Sequence, residues 1–311
     1  MTWIFLAVGA QLINAIVAIL DKYIVSDTGH MPRPFVYAFY TCLLSGSWII
    51  IFSLGFLPIS LPGVTLPSFS NIKAPTLDVI GLAFFASYTF FMALVSMFTA
   101  LKEADASDVI PVVGAISALS SFSLGYFLLD VHLSPNFVWG IALLATGTFL
   151  ASRLQFPWKV AMNALHGGIF FGLYYIAIKG LFNMTSFDNG FFWSRIAFVL
   201  FALSLLLVPS YFEKIREQTK TTRKSTGLLV LGNKILAGVG TLLILKATDL
   251  GDVAVVQALG GLQFVFILVI GILFARLIPE SCGEEGCRDD RVIQKVIFVA
   301  IIAIGFLILF R

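Results

Sequence analysis

The chain has 311 residues, of which 59% are apolar and only 12% are Asp, Glu, Lys or Arg, for a formal net charge of +3. An ordinary globular chain carries about 25% charged residues, so this one lacks the charge to cover a water-facing surface, and its mean hydropathy of +0.98 agrees. A soluble enzyme, a disordered chain, a collagen and a disulfide scaffold are excluded; the composition is that of a protein immersed in a bilayer.

A helix crossing the ~30 Å hydrocarbon core needs about 20 mostly apolar residues. Ten such stretches follow in chain order, near 3–25, 34–57, 77–101, 109–129, 136–152, 159–182, 189–209, 226–246, 253–275 and 292–310. Most connections are short. The three longer ones are 58–76, 210–225 and 276–291, and the first reads as an extended surface loop because of Pro58, Pro62, Pro67 and Pro75. Continuous hydrophobicity with no period of two excludes an outer-membrane barrel. Residues 1–25 lack a positive n-region and a small-residue cleavage site, so they read as a span rather than a signal peptide.

The sequence repeats itself. Leu101-Lys-Glu-Ala-Asp105-Ala-Ser-Asp108-Val109 matches Leu245-Lys-Ala-Thr-Asp249-Leu-Gly-Asp252-Val253 at Leu, Lys, both Asp and Val. The first copy joins spans three and four, the second spans eight and nine. Lys22 and Lys179 also correspond, near the ends of spans one and six. An odd number of spans per half reverses the second half, so residues 1–155 and 156–311 are expected to form two inverted five-helix repeats. That is a transporter architecture, with the substrate site at mid-membrane between the halves.

Particular segments resemble a known family. They are Asn14-Ala-Ile-Val-Ala-Ile-Leu-Asp21-Lys22-Tyr23 in span one, Ala106-Ser107-Asp108-Val109-Ile110-Pro111 through Gly125 to Ser134 around span four, and Gly140 in span five. On these the chain resembles the drug/metabolite transporter superfamily, EamA type, along essentially its whole length. The resemblance implies two five-helix repeats, with spans five and ten as outer packing around a cavity formed by the rest. One departure stands out: the family's Gly-Glu pair ending spans four and nine is Leu129-Asp130 and Ala275-Arg276 here.

Loops after odd-numbered spans hold 12 Lys and Arg residues, and loops after even-numbered spans with the termini hold 3. The positive-inside rule therefore places the odd loops in the cytoplasm and both termini outside; the resemblance implies the reverse. Cys42 reads as a packing residue. Cys282 and Cys287 are a candidate local disulfide if their loop lies outside, and free thiols if inside.

Five charges lie inside spans, namely Asp21, Lys22, Lys179, Arg195 and Lys234, while Asp78 and Lys295 sit in first turns and count as interfacial. Ionisable groups in hydrocarbon face a bundle interior or an aqueous cavity, unless they snorkel to the headgroups. Lys22 and Lys179 lie near helix ends, so snorkelling is the simpler reading for them, and an interfacial place for Asp21. Lys234 is about eight residues into its span, ~12 Å from the start by the helical rise, beside Asn233 and with Gly238 on the same face. It is the leading site candidate. A permanent pair with Asp21 is not assured by the spacing, and removing Lys234 is expected to orphan no buried charge. Arg195 is a further candidate, weighed against snorkelling, as are His166, Asn14, Gln257 and Gln263, each weighed against a role in helix–helix hydrogen bonding. Among the aromatics, Tyr40, Tyr88, Tyr174 and Tyr175 are candidate pocket walls. Gly260, Gly261, Gly114, Ala115 and Ser117 read as close-packing residues, and Asp108 and Asp252 as helix N-caps.

Together these features point to a secondary transporter of the cell membrane that moves a small polar metabolite by alternating access. In-span cations outnumber acids four to one, which favours an amino acid or an organic anion or zwitterion as cargo, with a proton as the candidate coupling ion. Substrate-binding residues are expected among Lys234, Arg195, Asn14, Gln263, His166, Asn233, Gln257 and Tyr88. No cofactor, metal or nucleic acid is expected, and the working state is a monomer or homodimer. A lipid flippase shares the architecture and is the alternative. A membrane enzyme is disfavoured, because no phosphate loop, paired metal ligands or nucleophile triad stands in the sequence.

Overall fold

The structure, a computed structural model, describes residues 2–26, 30–56, 67–129, 135, 138–143, 146, 157–273 and 304. Every element formed by them is helical. In chain order these are α1 (Thr2–Ser26), α2 (Pro34–Gly46), continued by a 3-10 segment (Ser47–Phe56), then α3 (Leu77–Glu103) and α4 (Ala106–Leu128). After them come α5 (Trp158–Met184), α6 (Phe187–Leu205), α7 (Pro209–Thr221), α8 (Lys224–Leu250), α9 (Val253–Ala258) and α10 (Gly261–Leu273). Seven helical segments are long and apolar enough to cross a membrane, as a multi-pass membrane protein requires. The pair α6 and α7, bent by 98°, makes an eighth only if the two are counted as one broken span. Most of the expected span five, all but one residue of span ten, and Cys282 and Cys287 lie outside the described residues.

Local chemistry sets the boundaries. Pro34 and Pro209 open α2 and α7 at N1, where a missing N–H is harmless. Thr76, Ser186 and Asp252 cap α3, α6 and α9, each accepting from backbone N–H groups of the first turn. Asp108 does not cap: α4 starts at Ala106, so Asp105 holds the cap position and Asp108 falls in the first turn. The 210–225 connection, long enough to hold structure of its own, is mostly the polar helix α7, whose charges keep it out of the apolar interior. Two other expectations change. The second span tightens to 3-10 at Ser47. The ninth breaks at Leu259-Gly260, between α9 and α10.

Packing crosses between the two sequence halves. Helix α5 lies along α3 and α4, while α1 lies along α8 and α10; α2 packs on α6, and α4 on α9. In lipid, helices associate through close contact rather than through a hydrophobic drive, and α5 shows how. A Cβ on Gly168 would meet Ile116 Cβ at 2.5 Å and Val113 O at 2.8 Å, and one on Gly172 would meet Ser120 Cβ at 2.6 Å. These glycines bring α5 onto α4. Gly114 behaves differently from expectation: a Cβ there meets nothing within 4 Å, because the residue borders an internal cavity rather than a neighbouring helix.

Candidate functional site

That cavity, of about 170 Å³, lies where α1, α2, α3, α4, α5, α8 and the α9–α10 break converge. It falls below the ~300–1,000 Å³ of drug-sized pockets. Phe90, Leu94, Met97, Ile110, Val113 and Phe171 give it apolar walls. Polar groups enter from Gln11, Asn14 and Asp21 on α1, Thr41 and Ser45 on α2, Tyr175 on α5, Lys234 and Thr241 on α8, and Gln257 and Gln263 around the break.

Its charged feature is a buried ion pair. Lys234 Nζ donates to Asp21 Oδ1 at 2.8 Å, with side chains only 4% and 6% exposed. Asn233 Nδ2 donates to the same oxygen at 2.6 Å and to Tyr37 Oη at 3.1 Å, while the Tyr37 hydroxyl also donates to Asp21 Oδ1. The ammonium sits 4.3 Å from the Tyr37 ring centre and 5.3 Å from that of Phe98, where ring quadrupoles attract a cation. The expectation that Lys234 orphans no partner is therefore corrected. Asp21 is not interfacial, because α1 runs on to Ser26 and packs against α8, which carries its carboxylate to Lys234.

Lys22 does not snorkel. Consecutive helix residues point about 100° apart, so as Asp21 faces the cavity, Lys22 turns toward the end of α3. There its Nζ donates to Leu101 O at 2.8 Å and Ala104 O at 2.9 Å. Lys179 does the same at the end of α8, donating to Thr248 O and Asp249 O at 2.8 Å and Gly251 O at 3.1 Å. A cation meeting the last carbonyls of a helix satisfies groups that have no helical partner and complements the dipole. Beside Lys179, burial pushes the Asp252 carboxyl above its ordinary range, against the lowering pull of the Val255 and Ala254 amides and the Lys179 charge.

The other sequence candidates divide. Asn14, Gln257 and Gln263 lie on the cavity wall with Lys234. Gln263 Nε2 donates to Asn14 O at 3.0 Å, tying α10 to α1, whereas Gln257 is buried beside Tyr175. Asn233 stands behind the wall, holding Asp21. Arg195 is wholly buried but off the wall, flanked by the Phe191 and Phe198 rings at 4.7 and 4.4 Å. His166 is on an exposed face of α5. Tyr88 is 45% exposed, edge-on to Phe170 and Phe201; neither it nor His166 reaches the cavity. Asp21, Tyr37, Gln11 and Tyr175 complete the site. Asp21 carried a signal, as the one acid within a span.

No protein-family model and no curated protein matches the chain. A solved crystal structure is similar in fold, with a TM-score of 0.60 at 18% identity, covering 97% of this chain and 96% of its own. At that identity the likeness extends to the fold alone.

Proposed function

We propose that the protein is a secondary transporter of the drug/metabolite transporter type, moving a small polar metabolite across the cell membrane by alternating access. The observation that carries the reading is the polar cavity shared by the two sequence halves and spanned by the Asp21–Lys234 pair. A broken helix at such a cavity is a recurring transporter device, because the interrupted backbone there serves a ligand instead of a ladder. The break between α9 and α10 lies on this wall.

Two further features support an inverted repeat of residues 1–155 and 156–311, with ten spans. Lys22 and Lys179 bond carbonyls in the two copies of the repeated segment, sharing the matched positions Ala104 and Thr248. The crossed packing also exchanges the halves, since α5 lies on α3 as α1 lies on α8.

The pairing of Lys234 narrows the cargo. With the cavity's cation already matched by a carboxylate, a zwitterion fits the charge balance better than a bare anion. Uptake into proteoliposomes, screened over amino acids, organic anions and organic cations with and without a pH gradient, tests the function. Concentrative or exchange uptake of a zwitterion supports it. Silence across the panel, alongside scrambling of labelled lipids, would replace it with the flippase reading.

A further inference from the structure

Arg195 holds a charge that the cavity does not use. Its side chain is 1% exposed, and among the described residues no acceptor completes a well-formed hydrogen bond to its Nε or Nη2. These two nitrogens share one edge of the planar guanidinium, the edge that grips an anion with two parallel N–H bonds. The Tyr174 hydroxyl, equally buried, faces this guanidinium and has no other partner among the described residues. Tyr174 and the Cys42 thiol are the titratable groups that act on this guanidinium; neither carries a formal negative charge in its ordinary state. The Phe191 and Phe198 rings cover the cation's faces but leave its donating edge unmatched. A buried charge is retained where something pairs with it.

The site has a neighbour on the cavity side. Phe90 borders the cavity, and its ring lies 4.8 Å from that of Tyr174 and 4.9 Å from that of Phe198.

We infer that Arg195 and Tyr174 form a second binding site, for a compact monovalent anion held side-on by Nε–H and Nη2–H and capped by the Tyr174 O–H. The occupant is a halide ion or a carboxylate group. Binding is read at equilibrium, so the result is independent of whether the protein transports.

Purified full-length protein is melted in detergent at constant ionic strength, with chloride or acetate replacing the bulky gluconate. Wild type and Lys234→Met are expected to gain thermal stability saturably; Arg195→Met is expected to gain none, and Tyr174→Phe to need several-fold more anion. Stabilisation by chloride identifies a free halide, and stabilisation by acetate alone identifies a carboxylate. No gain in wild type, an equal gain in Arg195→Met, or loss of the gain in Lys234→Met overturns the site. Should Arg195→Met fail to fold, Tyr174→Phe decides, and an unchanged anion requirement overturns it.

Discussion

An ion pair sealed between helices is asymmetric in its energetics. Removing both charges is often tolerated, but removing one leaves the other desolvated, at a cost of about 3–5 kcal/mol. Asp21 Oδ1 accepts from Lys234, Asn233 and Tyr37 together, so losing the ammonium strands a carboxylate that neutral donors satisfy only in part. Lys234→Met is therefore expected to lower stability by about 3 kcal/mol, and Asp21→Asn/Lys234→Met to recover most of that loss. Thermal unfolding of the single and double variants in detergent measures the difference. Equal stability of the single variant and wild type would mean that the pair is not formed in the folded protein.

Helix contacts make the next scale testable through glycine. Adding a methyl at Gly168 forces α5 off Ile116 and the Val113 carbonyl, and overpacking of this kind costs about 1–3 kcal/mol. At Gly232, where a Cβ meets nothing within 4 Å, the same change relieves helix entropy and should stabilise by about 0.5–1 kcal/mol. Opposite shifts in melting temperature for Gly168→Ala and Gly232→Ala are the expected result. The cap of α9 offers a third case. Asp252→Ala frees the Ala254 and Val255 amides and should cost about 1 kcal/mol in the same assay.

For the whole molecule, charge sets the expected sidedness. By the positive-inside rule the Lys and Arg residues around α7, among them Lys214, Arg216, Lys220, Arg223 and Lys224, predict a cytoplasmic location for it. A cysteine at exposed Lys220, with Cys282 and Cys287 replaced by Ser, should resist an impermeant maleimide on intact cells and react after lysis. Labelling of intact cells would reverse the orientation. Much of the helical frame was legible in the sequence, because a run of apolar residues long enough to span a bilayer leaves little choice but helix. The site was legible only in part. Lys234 and Gln263 announce themselves as polar groups in apolar runs, but their partners Asp21 and Asn14 lie on a different helix. Only the packing of α1 on α8 and α10 brings these together. The break at Gly260 and the cavity beside Gly114 were hidden for a related reason: glycine serves close packing, broken backbone and open space alike, and sequence spacing does not distinguish them.

If cargo is handled at the Asp21–Lys234 pair between the two halves, as proposed, substrate exchange must depend on both charges. Wild type, Asp21→Asn, Lys234→Met and the double variant are reconstituted as folded protein at equal density. Exchange of a preloaded zwitterion is then followed with external radiolabel. Wild type should exchange, and each variant should lose at least about tenfold in rate, equivalent to ~1.4 kcal/mol of binding or barrier. The double variant should stay inactive even though its stability recovers, since neutrality restores the fold but not the site. Wild-type exchange rates in Lys234→Met or in the double variant would mean that cargo is handled elsewhere.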